Sequence, residues 1–138
     1  MSIKIANIIP DGNCLYRSIA LALYNDQNLY KNVKEVIAKY VILNGKNKFN
    51  GENTTLEDWI IMDGHKNQSD FLHMLWEGTY GGALEVAIAS VAINHNIYIY
   101  DLSLNKLGEF EELQRNSSIH LLYHLYHYSL IIDYTPTS

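Results

Sequence analysis

The sequence predicts an α+β domain: a small, mainly antiparallel sheet packed against helices. Three observations predict it. Apolar residues recur at helical spacing through the first two thirds of the chain, and alternate at period two in the last third. The length, 138 residues, is enough for one hydrophobic core. The expected organisation is a single domain over 1–138.

The elements follow in order. Residues 3–9, Ile-Lys-Ile-Ala-Asn-Ile-Ile, read as extended. Pro10, Asp11, Gly12 and Asn13 are turn residues, and beyond them Leu15, Ile19, Ala22 and Leu23 fall at helical spacing up to Tyr24. Residues 25–28 break that helix, and Asn28 is placed to cap a second one from Leu29 to about Leu43, ended by Gly45. Its apolar stripe is Val33, Val36, Ile37, Tyr40 and Val41. Residues 46–53 form a loop. Thr54-Thr55-Leu56-Glu57-Asp58 resembles a capping start for a short helix to Met62. After a loop at 63–68, Ser69 or Asp70 caps another short helix through Phe71, Leu72, Leu75 and Trp76. The glycine-rich connection 78–82 leads into a buried helix over 83–94, apolar nearly all round. Strands are expected at 96–101, 107–111, 119–123 and 126–132, the last two linked at His124-Leu125.

Composition narrows the function. Hydrophobic residues make up 48% and charged residues 18%, which suits a globular chain. A net charge of −5 argues against wholesale nucleic-acid binding. One cysteine excludes an internal disulfide and any multi-cysteine zinc site, and fits a reducing compartment. No run reaches about 18 apolar residues, and the first ten residues lack the pattern of a signal peptide. The expectation is a cytoplasmic protein, or one delivered to a host cytosol if its source is a virus or intracellular bacterium. No membrane partner, nucleic acid, cofactor or metal is expected.

The lone cysteine, Cys14, stands in the first turn of the first helix, after a tight loop. Backbone N–H groups are unpaired there and the helix dipole favours negative charge, so a thiolate is stabilised. A thiolate nucleophile needs a base, usually histidine. Six are available: His65 in a polar loop, His73 on a short helix, His95 at a helix end, and His120, His124 and His127 near the C-terminus. If 118–129 were helical, the last three would share one face at a spacing that can bind zinc. The Tyr/Leu/Ile-rich composition there favours strand instead, where they would not converge. Spacing alone leaves the choice of base open.

Three blocks resemble the ovarian-tumour (OTU) family of cysteine proteases, in that family's order. Asp11-Gly12-Asn13-Cys14-Leu15-Tyr16-Arg17-Ser18-Ile19 is similar to its nucleophile motif. Gly78-Thr79-Tyr80-Gly81-Gly82-Ala83-Leu84-Glu85 is similar to its central glycine block. Ile119-His120-Leu121-Leu122-Tyr123 followed by His127-Tyr128-Ser129-Leu130 is similar to its terminal histidine strand. The resemblance implies the family's papain-related α+β fold. It also implies a deubiquitinase, cleaving after the C-terminal Gly-Gly of ubiquitin or a ubiquitin-like modifier. The implied partner is ubiquitin or polyubiquitin.

The resemblance assigns Cys14 as nucleophile, His127 as base and Asp11 as the loop aspartate that shapes the oxyanion hole. The hole would be built from backbone N–H groups of Asp11, Gly12, Asn13 and Cys14. Tyr80, Trp76 and Tyr128 are candidate walls for the substrate channel. Two positions depart from the family. Ser129 stands where Asn or Asp often orients the imidazole, and a hydroxyl cannot offset an imidazolium charge. Asp133 lies about 13 Å further along the strand, too far to replace it. Tyr80 stands for the usual tryptophan. A catalytically weak or inactive relative that binds ubiquitin is the alternative reading.

Overall fold

The computed structural model describes residues 2–49, 51, 53–77, 81–112, 115 and 117–135. Five α-helices and five strands occur among them. In order these are β1 (Ser2–Ile5), α1 (Cys14–Tyr24), a 3-10 turn (Gln27–Leu29), α2 (Tyr30–Asn44), α3 (Leu56–Met62), α4 (Gln68–Trp76), α5 (Ala83–Ile93), β2 (His95–Tyr100), β3 (Lys106–Phe110), β4 (Ser117–His124) and β5 (His127–Thr135). The α+β expectation holds.

The strands form one sheet in the order β1-β5-β4-β2-β3. Its β1–β5, β5–β4 and β2–β3 ladders are antiparallel, while β2 and β4 run parallel in register, Ile97 against Ile119 and Ile99 against Leu121. The β2–β3 hairpin occupies one edge, so β4 returns on the far side of β2. The first and last strands pair with each other, Lys4 opposite Asp133 and then Ile5 opposite Ile131. That shift leaves one extra residue on β5, a bulge.

The core lies where α1, α2 and α5 meet the sheet. Ile19, Ala20, Val33, Ile37, Val41, Val86, Ile88, Ile97 and Leu121 are all fully buried. Each helix contributes a stripe at the expected spacing, and burying such side chains is worth about 1.5–3 kcal/mol apiece. Ile8, in the coil after β1, is also buried, so the segment predicted as one strand over 3–9 splits into a short strand and a packed loop.

Several caps differ from expectation, each for a local reason. Asn28 does not cap α2, because its side-chain oxygen accepts from Arg17 Nη1 at 3.2 Å. The turn before α2 is instead capped by Asp26, whose carboxylate accepts from Asn28 N–H. Gly45 follows α2 in a right-handed conformation. A Cβ there would displace the end of the Gln68 side chain, which lies in that space. α4 is capped by Asn67 rather than Ser69 or Asp70, with Asn67 Oδ1 accepting from Asp70 N–H at 2.9 Å. The Asp70 carboxylate turns back to Lys66 N–H. α3 has its expected cap, Thr55 accepting from Asp58 N–H.

Gly81 meets α1 directly. A Cβ on Gly81 would sit 2.5 Å from Leu15 Cδ2 and 3.0 Å from the Tyr16 hydroxyl. Both neighbours are buried core residues with no room to yield. Gly81→Ala is therefore expected to cost about 1–3 kcal/mol, read from urea unfolding. A cost near zero would mean that this contact is loose.

Candidate active site

Cys14 is the first residue of α1 and is 1% exposed. The loop before it is held by its own hydrogen bonds. Asp11 N–H donates to Ile9 O at 2.9 Å, Cys14 N–H donates to Asp11 O at 3.2 Å, and Asn13 N–H donates to Asp11 Oδ1 at 2.9 Å. Aspartate two residues before the bonded N–H is the turn that Asx residues favour. Among the described residues the Gly12 N–H has no partner. Three of the four N–H groups expected to form an oxyanion hole are thus engaged within the loop. The Asn13 side-chain oxygen is buried with no hydrogen-bond partner.

Asp11 is fixed from the other side by Arg17. The guanidinium donates from Nε at 3.2 and 3.0 Å and from Nη2 at 2.9 Å, spanning both carboxylate oxygens. One helical turn separates Cys14 from Arg17, so the loop and α1 are locked together. Arg17 is 9% exposed, reaches Asn28 and Gln27, and lies 4.3 Å over the Tyr30 ring. Burial raises the Asp11 carboxyl, but the Arg17 and Asn13 hydrogen bonds and the guanidinium charge outweigh it, leaving it below its ordinary value. Gln27 completes the frame, accepting from Ile9 N–H and donating to Asn7 O, each at 2.9 Å. The sequence reading assigned neither Arg17 nor Gln27 a role. For Arg17 the available signal was a cation within two turns of the loop aspartate, inside a motif with few charges.

The strand β5 closes on Cys14. Tyr128 N–H donates to Cys14 Sγ at 3.4 Å. His127, the half-buried first residue of β5, immediately precedes that amide. Ser129 is 9% exposed on the same strand, opposite Leu122. Among the described residues neither the His127 ring nor the Ser129 hydroxyl has a hydrogen-bond partner. Asp133 is exposed. Tyr128 is 6% exposed with its ring 4.8 Å from that of Tyr123. Burial, then the charges of Tyr123, Cys14 and Glu85, push its hydroxyl up to about 12. Trp76 is 47% exposed at the end of α4. Tyr80, with Gly78 and Thr79, lies outside the described residues.

The other histidines are accounted for separately. His120 is stacked between Tyr98 and Tyr100, at 5.2 and 5.7 Å, and its Nδ1 lies 3.0 Å from the Tyr100 hydroxyl. Burial, and then Lys106, lower its pKa. His120 and His124 lie on β4 and His127 on β5, so the helical zinc-binding face does not form. A group with metal-ligand chemistry does occur elsewhere. Asp63, His65 and Glu85 bring ligand atoms within 4.8 Å of one another. Glu85 spends one oxygen on Gly82 N–H, capping α5, and burial raises its pKa. A hollow of about 290 Å³ nearby is lined by Phe49, Trp59, Asp63, Leu84 and Phe110, among others, and by none of Asp11, Cys14 or His127.

Comparison with known proteins follows this geometry. A sequence model of the OTU-like cysteine proteases matches residues 9–134. The chain is 29% identical over 121 residues to the ubiquitin thioesterase OTU1 of Saccharomyces cerevisiae, covering 88% of this chain and 36% of that one. It is also 29% identical over 126 residues to the ovarian tumor domain-containing deubiquitinating enzyme 7 of Arabidopsis thaliana, covering 90% and 31%. It thus spans about a third of the length of those relatives. Among solved structures it is similar to an ovarian tumor (OTU) domain in complex with ubiquitin, with a TM-score of 0.72 and 25% identity over 94% of this chain and 69% of that one. The Hazara virus OTU bound to ubiquitin shares the fold, with a TM-score of 0.70 and 21% identity over 97% of this chain and 83% of that one.

The Asp11–Arg17 pair has a pH signature. Because the Asp11 pKa is depressed on folding, its contribution is complete above the ordinary carboxylate value of about 3.9 and is lost as pH falls through the folded value. Asp11→Asn should cost about 1–2 kcal/mol at pH 7, a figure reduced because the Asp11 side chain is 36% exposed. Urea unfolding at pH 7 and pH 3 should show the gap between wild type and variant narrowing at the lower pH. A constant gap would mean that the carboxylate charge is not what stabilises.

Proposed function

The chain belongs to the OTU-like cysteine protease family, and from that premise we propose that it is a thiol-dependent deubiquitinase. Its reaction is hydrolysis of the isopeptide or peptide bond after the C-terminal Gly-Gly of ubiquitin or a ubiquitin-like modifier. The observation that carries this reading is the meeting of Cys14, at a helix N-terminus, with the strand that begins at His127.

In this reading His127 takes the Cys14 proton and the thiolate attacks the scissile carbonyl. The tetrahedral intermediate collapses to a thioester as His127 gives the proton to the leaving amine. Water, deprotonated by His127, then releases the ubiquitin carboxylate and the free thiol. Gly12 N–H is the donor left uncommitted for the oxyanion. Cys14 N–H is the second donor, since its bond to Asp11 O, at 3.2 Å, is at the long end of the range and is exchangeable. Asp11 acts through the loop, held by Arg17. His127 works in a dyad with Cys14, with Ser129 as the nearest hydroxyl on its own strand. The acidic chain suits a basic ubiquitin tail. Ubiquitin, or polyubiquitin, is the proposed partner and the cytosol the proposed compartment.

The alternative, a ubiquitin-binding relative without activity, is separated by one experiment. A ubiquitin probe with a C-terminal electrophile should label the wild type and leave Cys14→Ala untouched. Binding without labelling of the wild type would favour the inactive reading. His127→Ala should lower kcat by at least about 100-fold on a ubiquitin amide substrate. Ser129→Ala should change kcat by less than about threefold, because the hydroxyl holds no bond to the ring. A larger loss would restore Ser129 as the orienting group.

A further inference from the structure

The turn that delivers His127 is built from unsuitable residues. Leu125 and Tyr126 are the only residues between the paired His124 and His127, a two-residue hairpin loop. Both have positive φ, 50° and 61°. Such a loop favours Asn-Gly, since bulky side chains are strained in the left-handed region. Elsewhere the fold accounts for its non-glycine residues at positive φ. Asn25 and Asn94 end helices, where asparagine tolerates the conformation. Leu104 is half-buried and its N–H donates to Asp101 O. Leu125 and Tyr126 are 79% and 78% exposed. Among the described residues their side chains have no hydrogen bond, ion pair or ring contact. The fold gains nothing visible from them, and strain kept without a folded-state return points to function.

We propose that Leu125 and Tyr126 form a contact site for the leaving-group side of the substrate, the polypeptide whose lysine is released from the ubiquitin C-terminus. This rests on the deubiquitinase reading above. The side follows from the chemistry. His127 protonates the departing amine, so its ring borders that nitrogen, and the turn is covalently joined to His127. An exposed leucine and tyrosine offer apolar area and a hydroxyl to a protein surface at low cost in side-chain entropy. Both side chains are exposed on the two residues that immediately precede His127.

Two variants test this against two substrates: diubiquitin, and ubiquitin carrying a small coumarin amide as leaving group. Leu125→Asn with Tyr126→Gly supplies the residues that the turn favours, and should raise the thermal midpoint while lowering the diubiquitin-to-coumarin ratio of kcat/KM about tenfold, chiefly through KM. Leu125→Ala with Tyr126→Ala keeps the turn and trims the side chains, and should lower the ratio similarly without the thermal gain. A ratio within twofold of wild type in both variants overturns the proposal. So does an equal loss on both substrates, which would place the turn on the ubiquitin-tail side. A wild type that cleaves neither substrate and is not labelled by the ubiquitin probe would instead sink the functional reading beneath it.

Discussion

The buried contact between Arg17 and Asp11 is the interaction on which the site depends. Taking a guanidinium to 9% exposure is costly unless its donors are met. Here they are met by a carboxylate, a side-chain amide and a carbonyl, with a tyrosine ring beneath. These partners come from three local elements: Asp11 from the loop, Gln27 and Asn28 from the 3-10 turn, and Tyr30 from α2. Satisfying one cation therefore sets the position of all three relative to α1. Lys34 adds to this on α2, buried with its ammonium 5.1 Å from the Tyr16 ring and 5.7 Å from the Tyr30 ring. Burial lowers its pKa while Asp11 pulls it back up. Two cations shelter among tyrosines near Cys14, and the Asp11 carboxylate is their common counter-charge.

What the sequence revealed divides by range. Features set within one turn of chain were legible: the Thr55 cap, the core stripe of α2, the buried run of α5. Features set by a distant partner were not. Asn28 reads as a helix cap until Arg17 claims it, and Gly45 reads as a conformational stop until Gln68 fills the space beside it. The parallel pairing of β2 with β4 had no local signal, because strand order is decided by non-local contacts. Among the site residues, Cys14 stood out through its turn and helix position. The base needed the family resemblance, since three histidines near the C-terminus had equal claims by spacing. The oxyanion donors could have been narrowed earlier: aspartate two residues before Asn13 is an Asx-turn signal, and it predicts that the Asn13 N–H is already spent.

The helix α5 links the remaining parts. Its first turn is capped by Glu85, and Gly81 before it admits Leu15 and Tyr16 of α1. Glu85 acts electrostatically on Tyr16 and Tyr128, raising the hydroxyl pKa of both, after burial in each case. Tyr16 and Tyr128 thus stand as two buried phenols close to Cys14, Tyr16 two residues along the same helix and Tyr128 through its N–H.

The hydrogen bond from Tyr128 to Cys14 joins residues 114 positions apart. In a chain made from its N-terminus, the thiol exists long before the strand that contacts it. At ribosomal rates of about 5–20 residues per second the interval is on the order of ten seconds. During it β1 also lacks its partner, because β5 is its only neighbour in the sheet. A half-made chain therefore carries a cysteine without an assembled site. The surroundings of Cys14 are completed only once β5 has been made, so this part of the fold closes late in synthesis.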